Sequence, residues 1–411
     1  MADEGSRNSV NHKSRLRLPE AVVSLGLVSL FTDVSSEAIF PLLPAFLVSL
    51  GASGAFIGLV EGVAEFVANT LKYLMGSVVD RSVRLKPLVL WGYGVSTVVR
   101  PLAAFATVPW HVLAVRAGDR IGKGVRTTPR DALIASATDS SMRARAYGFH
   151  RAMDHSGAVL GTLMASGLLW LYGASSGASP ENADKMRSVF LWAGLPGLVA
   201  MVCLVRTVEP LRIRADASAT RALDFHGQER MSGPLKHVLL ALTLFAFANA
   251  TDAFLIVKAA RLGASPALAP LLWLVLHAVK ASTATAGGML ADTYGKRNSL
   301  VLGWLVYAAL WAAIGFANSL VALFLLTALY GTSHGLVEGA ERGLIADLAS
   351  GRKRGAAFGA YNLLIGMASL VASTAFGFVW DRFGSAWAFV GSAAFAVVAS
   401  LVLLMLVPKR A

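Results

Sequence analysis

Gly76-Ser-Val-Val-Asp80-Arg81-Ser-Val-Arg84-Leu-Lys86 has a second copy downstream, Gly288-Met-Leu-Ala-Asp292-Thr-Tyr-Gly295-Lys296-Arg297. The offset between the two is near 211 residues, and other matches keep the same order and nearly the same spacing. Leu50-Gly-Ala-Ser53 answers Leu262-Gly-Ala-Ser265, and Ala132-Leu-Ile-Ala135 answers Gly343-Leu-Ile-Ala346. Arg143 with Ala146-Tyr147-Gly148 answers Arg354 with Ala357-Phe358-Gly359, and Trp170 answers Trp380. Any one match is weak, but five in order indicate an internal repeat. The 411-residue chain reads as two related halves.

The composition says what the halves are made of. Charged residues are 15% of the chain, against roughly 25% in a soluble globular protein, and mean hydropathy is +0.61. A cytosolic enzyme and a disordered protein are both excluded by these figures. The apolar residues fall in twelve blocks, 21–49, 53–79, 88–106, 110–136, 146–172, 188–206, 237–260, 267–291, 298–317, 320–348, 355–380 and 386–408. About 20 apolar residues cross a bilayer core as a helix. The expected fold is all-α and membrane-integral, with twelve transmembrane helices in two pseudo-symmetric six-helix bundles. Residues 1–20 form a polar, basic tail, 21–206 the first bundle, 207–236 a basic central loop and 237–408 the second bundle. The block from Ala21 is too long for a signal-peptide core and is expected to stay as the first span.

The formal net charge is +13. Nucleic acid is not needed to explain it, because the basic residues outside the blocks sit in short loops of one side. With a cytoplasmic amino terminus, about 22 Lys and Arg fall in cytoplasmic segments and about 4 in the opposite loops, as the positive-inside rule requires. Both termini are then cytoplasmic, in the inner membrane of a prokaryote. One cysteine, Cys203, permits neither an intrachain disulfide nor a thiolate metal cluster.

At the repeated loop the sequence resembles the major facilitator superfamily, whose signature is Gly-x-x-x-Asp-(Arg/Lys)-x-Gly-(Arg/Lys)-(Arg/Lys). Gly76, Asp80, Arg81, Arg84 and Lys86 match it, with Val83 in place of Gly. Gly288, Asp292, Gly295, Lys296 and Arg297 match it again, with Thr293 in place of the basic residue. Arg116, Gly122 and Gly124 resemble the family's fourth-helix motif, and Gly377 to Gly384 (GFVWDRFG) its boundary after helix eleven. Gly118 to Ala135 (GDRIGKGVRTTPRDALIA), Phe31 to Pro44 and Gly92 to Leu102 further resemble a prokaryotic branch of the superfamily. The resemblance runs from about residue 20 to 408. It implies a monomeric secondary transporter in the lipid bilayer that moves a small-molecule solute by alternating access. A carboxylate at a helix end, such as Asp80 or Asp292, can hold a neighbouring helix start, which carries partial positive charge.

Ionisable groups inside membrane segments are functional candidates, because each costs several kcal/mol unless it meets a partner or a wet cavity. Segment four carries the most. At about 100° per residue, Arg116, Arg120, Lys123 and Arg130 fall within about 80° of one another. This basic stripe either binds an anionic solute or forms gating ion pairs with Asp33, Glu37, Glu61 and Glu65 on segments one and two. Segment ten carries the opposite sign, with His334, Glu338 and Glu341 on one face and Arg342 beside them, so the two stripes are expected at a common seam. His150 and Asp154 share a helical face and suit proton relay or a plain hydrogen-bond cluster. Asp252, Lys258, His277 and Lys280 read as isolated intramembrane polar groups. Asp252, with Asn249 and Thr251, offers a polar patch for solute contact or gating, and Lys72 and Lys280, at matching places in helices two and eight, are candidate interhelical partners. Together these suggest protons as the coupling ion.

Gly118 to Gly124 lacks the spacing of a phosphate loop. His334 with Glu338, and His150 with Asp154, supply two ligands each, too few for a metal site. No nucleophile set emerges, so neither an enzyme nor a cofactor is expected. The solute is either a small polar or anionic metabolite or an exported amphipathic compound. A transporter-like sensor or scaffold without flux is the reading of a different class; the central loop, about 30 residues, offers it no output domain.

Overall fold

A computed structural model of the protein describes residues 18–138, 142–174, 180–209, 233–249, 251–349 and 354–407. The amino-terminal tail up to residue 17 and central-loop residues 210–232 lie outside the described residues. So do the side chains of Asp80, Arg143, Arg145 and Asp292.

Twelve spans follow in order: α1 (Glu20–Ser49), α2 (Gly54–Arg81), α3 (Lys86–Phe105), α4 (Pro109–Ser136), α5 (Arg143–Leu171) and α6 (Glu181–Arg206) in the first half. The second half has α7 (Gly233–Arg261), α8 (Leu268–Tyr294), α9 (Lys296–Gly315), α10 (Leu320–Leu348), α11 (Arg354–Phe383) and α12 (Ser385–Leu406). Among the described residues, nine are apolar and long enough to cross a membrane. The other three are α4, α5 and α8, which carry charges or a polar second half. With an even number of spans, α1 starts and α12 ends on one side, here called the termini side; the other is the distal side.

The repeat is visible in the turns. Gly51 and Gly263 join the first two helices of each half on the distal side, with φ of +81° and +88°. Only glycine adopts such angles without a steric cost, which is why Leu-Gly-Ala-Ser recurs. Gly295 ends α8 at φ +89°. At the matching turn of the first half Val83 stands instead, and no described non-glycine residue has positive φ. There Glu209 does the work, accepting hydrogen bonds from the first amides of α3 at Leu85 (2.5 Å) and Lys86 (3.1 Å). Lys86 Nζ donates to Val205 O at the end of α6 (2.9 Å), and Arg297 Nη2 donates to Leu404 O at the end of α12 (2.6 Å). The basic ends of both signature loops thus satisfy carbonyls that a helix terminus leaves unpaired.

Two spans break at mid-membrane. In α1 the helix stops at Glu37, turns through a 3-10 segment at Phe40–Leu42 and resumes at Leu43, with Pro41 and Pro44 removing amide donors. In α7 it stops at Ala248 and resumes at Ala253. The carbonyl of Ala248 left free by the break accepts from Tyr307 Oη (2.7 Å) and from Ser392 Oγ.

The halves meet chiefly along α2 and α11, with a smaller contact between α5 and α8. Small residues allow the first approach. A Cβ on Gly58 would sit 1.9 Å from Ser373 O, and one on Gly377 would sit 2.0 Å from Gly54 O. At the distal end Asp381 of α11 accepts from the first amides of α2, Gly54 (2.9 Å) and Ala55 (2.8 Å). That carboxylate caps a helix start from across the seam. Towards the termini side the seam is looser. At roughly 100° per residue, Glu338 lies about 140° from the centre of the exposed Val321, Leu325 and Leu329 stripe. Its side chain is nevertheless 58% exposed, and that of Arg342 59%. A residue facing away from lipid and still exposed borders an opening. Gly76 and Gly288 also face free space. Among the described residues the closest contacts between α2 and α11 lie towards the distal side, and the termini side is more exposed.

Gly58→Val should therefore push α2 off α11. We expect it to cost about 1–3 kcal/mol by overpacking, read as a lower melting temperature in detergent, whereas Gly76→Val should leave that temperature unchanged. Equal effects from the two would contradict the close contact at Gly58.

Candidate functional site

Residues of α1–α4 build a charged network at the mid-membrane break of α1. Arg100, at the 3-10 end of α3, pairs with Asp119 of α4 (2.7 Å) and donates to Thr32 O of α1 (3.0 Å). Arg116 forms a fork on Glu61 of α2 (3.2 and 2.7 Å). Both pairs are buried, where the loss of water roughly offsets the attraction, but removing one partner strands the other at about 3–5 kcal/mol. Phe40, in the break of α1, takes three guanidinium groups around its ring, with Arg116 at 4.0 Å, Arg120 at 5.1 Å and Arg100 at 5.7 Å from the centroid.

The basic stripe of α4 divides accordingly. Arg116 is taken by Glu61, and Arg130 forks on its neighbour Asp131 (2.8 and 3.0 Å). Arg126 donates to Ser96 (2.5 Å) and lies over the Tyr93 ring. Arg120 is different. It is 6% exposed, it makes no hydrogen bond or ion pair within 4 Å among the described residues, and its Nε is buried without a partner. Lys123, one turn on and half-buried, has no such partner either. Around them stand Glu65, Lys72 and Asp33, all half-buried at the seam. Glu65 interacts electrostatically with Arg120, Lys72 and Lys123, yet approaches none of them within 4 Å. Lys72 donates to Asn69 (3.1 Å).

In the second half Asp252 is the hub. At the break of α7 it accepts from Lys280 of α8 (2.9 Å) and from Tyr330 of α10 (2.7 Å). Asp252 and Lys280, expected to be isolated, are an ion pair. Lys258 is not isolated either: it donates to Gly315 O (2.8 Å). His334 stacks edge-on against Tyr330 (5.0 Å), and His277 lies against Trp273 (5.0 Å); each histidine has a buried Nε2 without a partner. Trp273 Nε1 reaches across the seam and donates to Glu37 Oε2 of α1 (2.9 Å).

The α4 and α10 stripes are not brought together. Helix α4 packs on α2 and α3, and α10 on α8 and α9. The carboxylates of α10 find their partners within the second half. Glu338 pairs with Arg342 (3.4 Å), and Glu341 accepts from Tyr361 of α11 (2.5 Å). His150 and Asp154 do meet, at 3.5 Å, and Asp154 also takes Ser29 Oγ and Arg151 (3.8 Å). At the signature loops Arg81 and Arg84 lie on the termini side, and Lys296 pairs with Asp347 (2.5 Å).

Sequence reading missed Arg100, Phe40, Trp273, Tyr330, Tyr361 and Asp381. Arg100 precedes a proline at the end of an apolar block and passes for a loop charge. The aromatic residues carry no signal of their own, since their polar atoms matter only once folding places a carboxylate beside them.

Known proteins were compared with the chain. The model of the Major Facilitator Superfamily matches residues 25–279 and 238–411. An uncharacterized MFS-type transporter of Methanocaldococcus jannaschii is 28% identical over 402 residues, covering 96% of this chain and 97% of the relative. The multidrug resistance protein MdtH of Yersinia pestis is 26% identical over 352 residues, covering 84% and 82%. The crystal structure of a bacterial homolog to the human lysosomal transporter Spinster, inward-facing and unoccupied, superposes with a TM-score of 0.71 at 18% identity. It covers 95% of this chain and 98% of that one, a likeness of fold. With twelve spans in two repeated halves and a family match along nearly its whole length, the chain belongs to the major facilitator superfamily.

Proposed function

We propose that the protein is a proton-coupled secondary transporter of a small organic anion, working by alternating access in a prokaryotic cytoplasmic membrane with the termini side cytoplasmic. The observation that carries the reading is Arg120: a buried guanidinium with an orphaned Nε, at a mid-membrane break, beside an opening. Arg100 and Arg116 pair with Asp119 and Glu61, Arg116 keeping one buried Nη1 without a partner. Arg120 and Lys123 have no carboxylate within 4 Å among the described residues and are the cations left to receive a carboxylate or phosphate from the solute. Glu65 and Asp33 supply acidic groups within electrostatic reach of Lys123, which suits exchange of a proton for the solute's charge. His150, Asp154, Asp252 and His334 are second-rank candidates, since each already has a partner of its own half.

The free space at Gly76 and Gly288 supports the second state. A side chain added at Gly76 of α2 or Gly288 of α8 would meet nothing within 4 Å, and small residues there would allow close approach once that side shuts. A second reading has one observation behind it, the similarity to a multidrug resistance protein: Glu37, Glu65, Phe40 and Trp273 would also suit an exported lipophilic cation.

A thermal-shift screen of purified protein with small mono- and dicarboxylates, organophosphates and lipophilic cations separates the readings. We expect an anion to raise the melting temperature by mass action. Arg120→Gln should weaken that anion about 10- to 100-fold, the worth of a charge-assisted hydrogen bond, while lowering the melting temperature little. Arg116→Gln should do the reverse, losing stability because Glu61 is stranded. Stabilisation by lipophilic cations alone would replace the anion reading with the second one. In proteoliposomes a pH gradient should drive uphill flux of the stabilising anion; flux that ignores the gradient would remove proton coupling.

A further inference from the structure

We propose that the Trp273–Glu37 hydrogen bond is the element that converts the charge state of the amino-terminal site into closure of the distal seam, with Trp273 as its positioning residue. The inference rests on the proton-coupled reading above and names the group through which coupling acts.

The geometry is specific. Glu37 ends the first helical piece of α1, directly before the break that carries Phe40 and its three guanidinium groups. Trp273 is in the distal half of α8, in the opposite bundle. Their 2.9 Å bond therefore ties the two halves at mid-membrane, between the distal cap at Asp381 and the opening at Glu338. The halves cannot rock apart at the distal end without breaking it. An indole N–H is a donor only, so the strength of the bond is decided by Glu37. A carboxylate accepts roughly twice as strongly as a neutral acid. Ionised Glu37 therefore holds the distal side shut, and protonated Glu37 loosens it.

The surroundings give Glu37 reasons to change charge during a cycle. Asp33 is one turn before it on α1, and Asp154 of α5 interacts electrostatically with Asp33. Arg100 and Arg116 gather at Phe40, three residues further on. From α8, His277 interacts with Glu37 and with Lys280, and His155 of α5 interacts with His277. An anion bound at Arg120 and Lys123 would join the same network, since Lys123 interacts electrostatically with Asp33. Trp273 itself packs on His277 with the rings tilted at 49° and 5.0 Å apart, while its N–H is held by Glu37 across the seam.

The test reads the conformation directly and needs no solute, so it fails or succeeds independently of the anion assignment. Ala264→Cys, at a residue only 3% exposed in the narrow distal gap that Ala45 and Met186 of the other half also line, is made in a Cys203→Ser background. Maleimide labelling from the distal side is measured in liposomes against pH. The reference protein should label slowly at neutral pH and several-fold faster on acidification. Trp273→Phe keeps the ring and removes the donor; it should label fast at every pH. Glu37→Gln keeps an acceptor but cannot ionise; it should also lose the pH dependence, with labelling near the acidic limit. A merely structural tryptophan would lower stability without flattening the pH profile. Unchanged pH profiles in both variants, or a reference protein whose labelling ignores pH, overturn the proposal.

Discussion

A guanidinium inside a membrane-spanning helix has no water to retreat to, and the amino-terminal half is arranged around that constraint. Helix α4 carries Arg116, Arg120, Lys123, Arg126 and Arg130 within about four turns. Lipid would not accept them, so α4 is surrounded by α2, α3 and the broken α1. The carboxylates of Glu61 and Asp119, the carbonyl of Thr32 and the ring of Phe40 each take a share of the charge. Every part of this arrangement depends on the others. The break of α1 puts Phe40 among the arginines, and the 3-10 end of α3 brings Arg100 within reach of α4.

A seam between two bundles has to open on one side while it stays tight on the other. Glycine packing suits this because it holds helices by close contact without interlocking side chains. Along α2, Gly54, Gly58 and Gly62 lie against Gly377, Ser373 and Leu370 of α11, while Gly76 at the far end of the same helix meets nothing. The polar ties across this seam are few and placed where they have to break: the carboxylate of Asp381 on two backbone amides, and the indole of Trp273 on Glu37. The apolar contact supplies adhesion, and the polar ties supply the dependence on charge.

Much of this was legible before folding was considered. The repeat gave the two halves, and its Leu-Gly-Ala-Ser copies are matching turns because both need positive φ at the glycine. Helix count and the strangeness of segment four followed from hydropathy. The partition of the stripe did not. Spacing puts Arg116 and Arg120 on one face, but whether a carboxylate lies at 2.7 Å or beyond 4 Å depends on how α2 is rotated against α4. Neither could the sequence show that the acidic face of segment ten turns to Arg342 and Tyr361 instead of meeting segment four. Asp252 and Lys280 looked solitary because their contact joins helices 28 residues apart in the chain.

The repeat also shows where the two halves part company. Positions 100 and 119, the Arg–Asp pair, correspond at the same offset to Trp311 and Tyr330, whose rings lie 4.9 Å apart. One site of the ancestral half thus holds an ion pair in the first copy and an aromatic contact in the second. Trp311 continues into a column of rings with Tyr307, Phe376, Phe389 and Trp380. That column has little to gain or lose with charge. Its main polar hub, Asp252, sits at its own helix break, where Phe40 sits in the first, and is already neutralised by Lys280. Arg120 and Lys123, cations without a carboxylate within 4 Å among the described residues, thus lie on one side of the seam, and a densely packed aromatic column stands on the other. A close-packed interior transmits displacement instead of absorbing it.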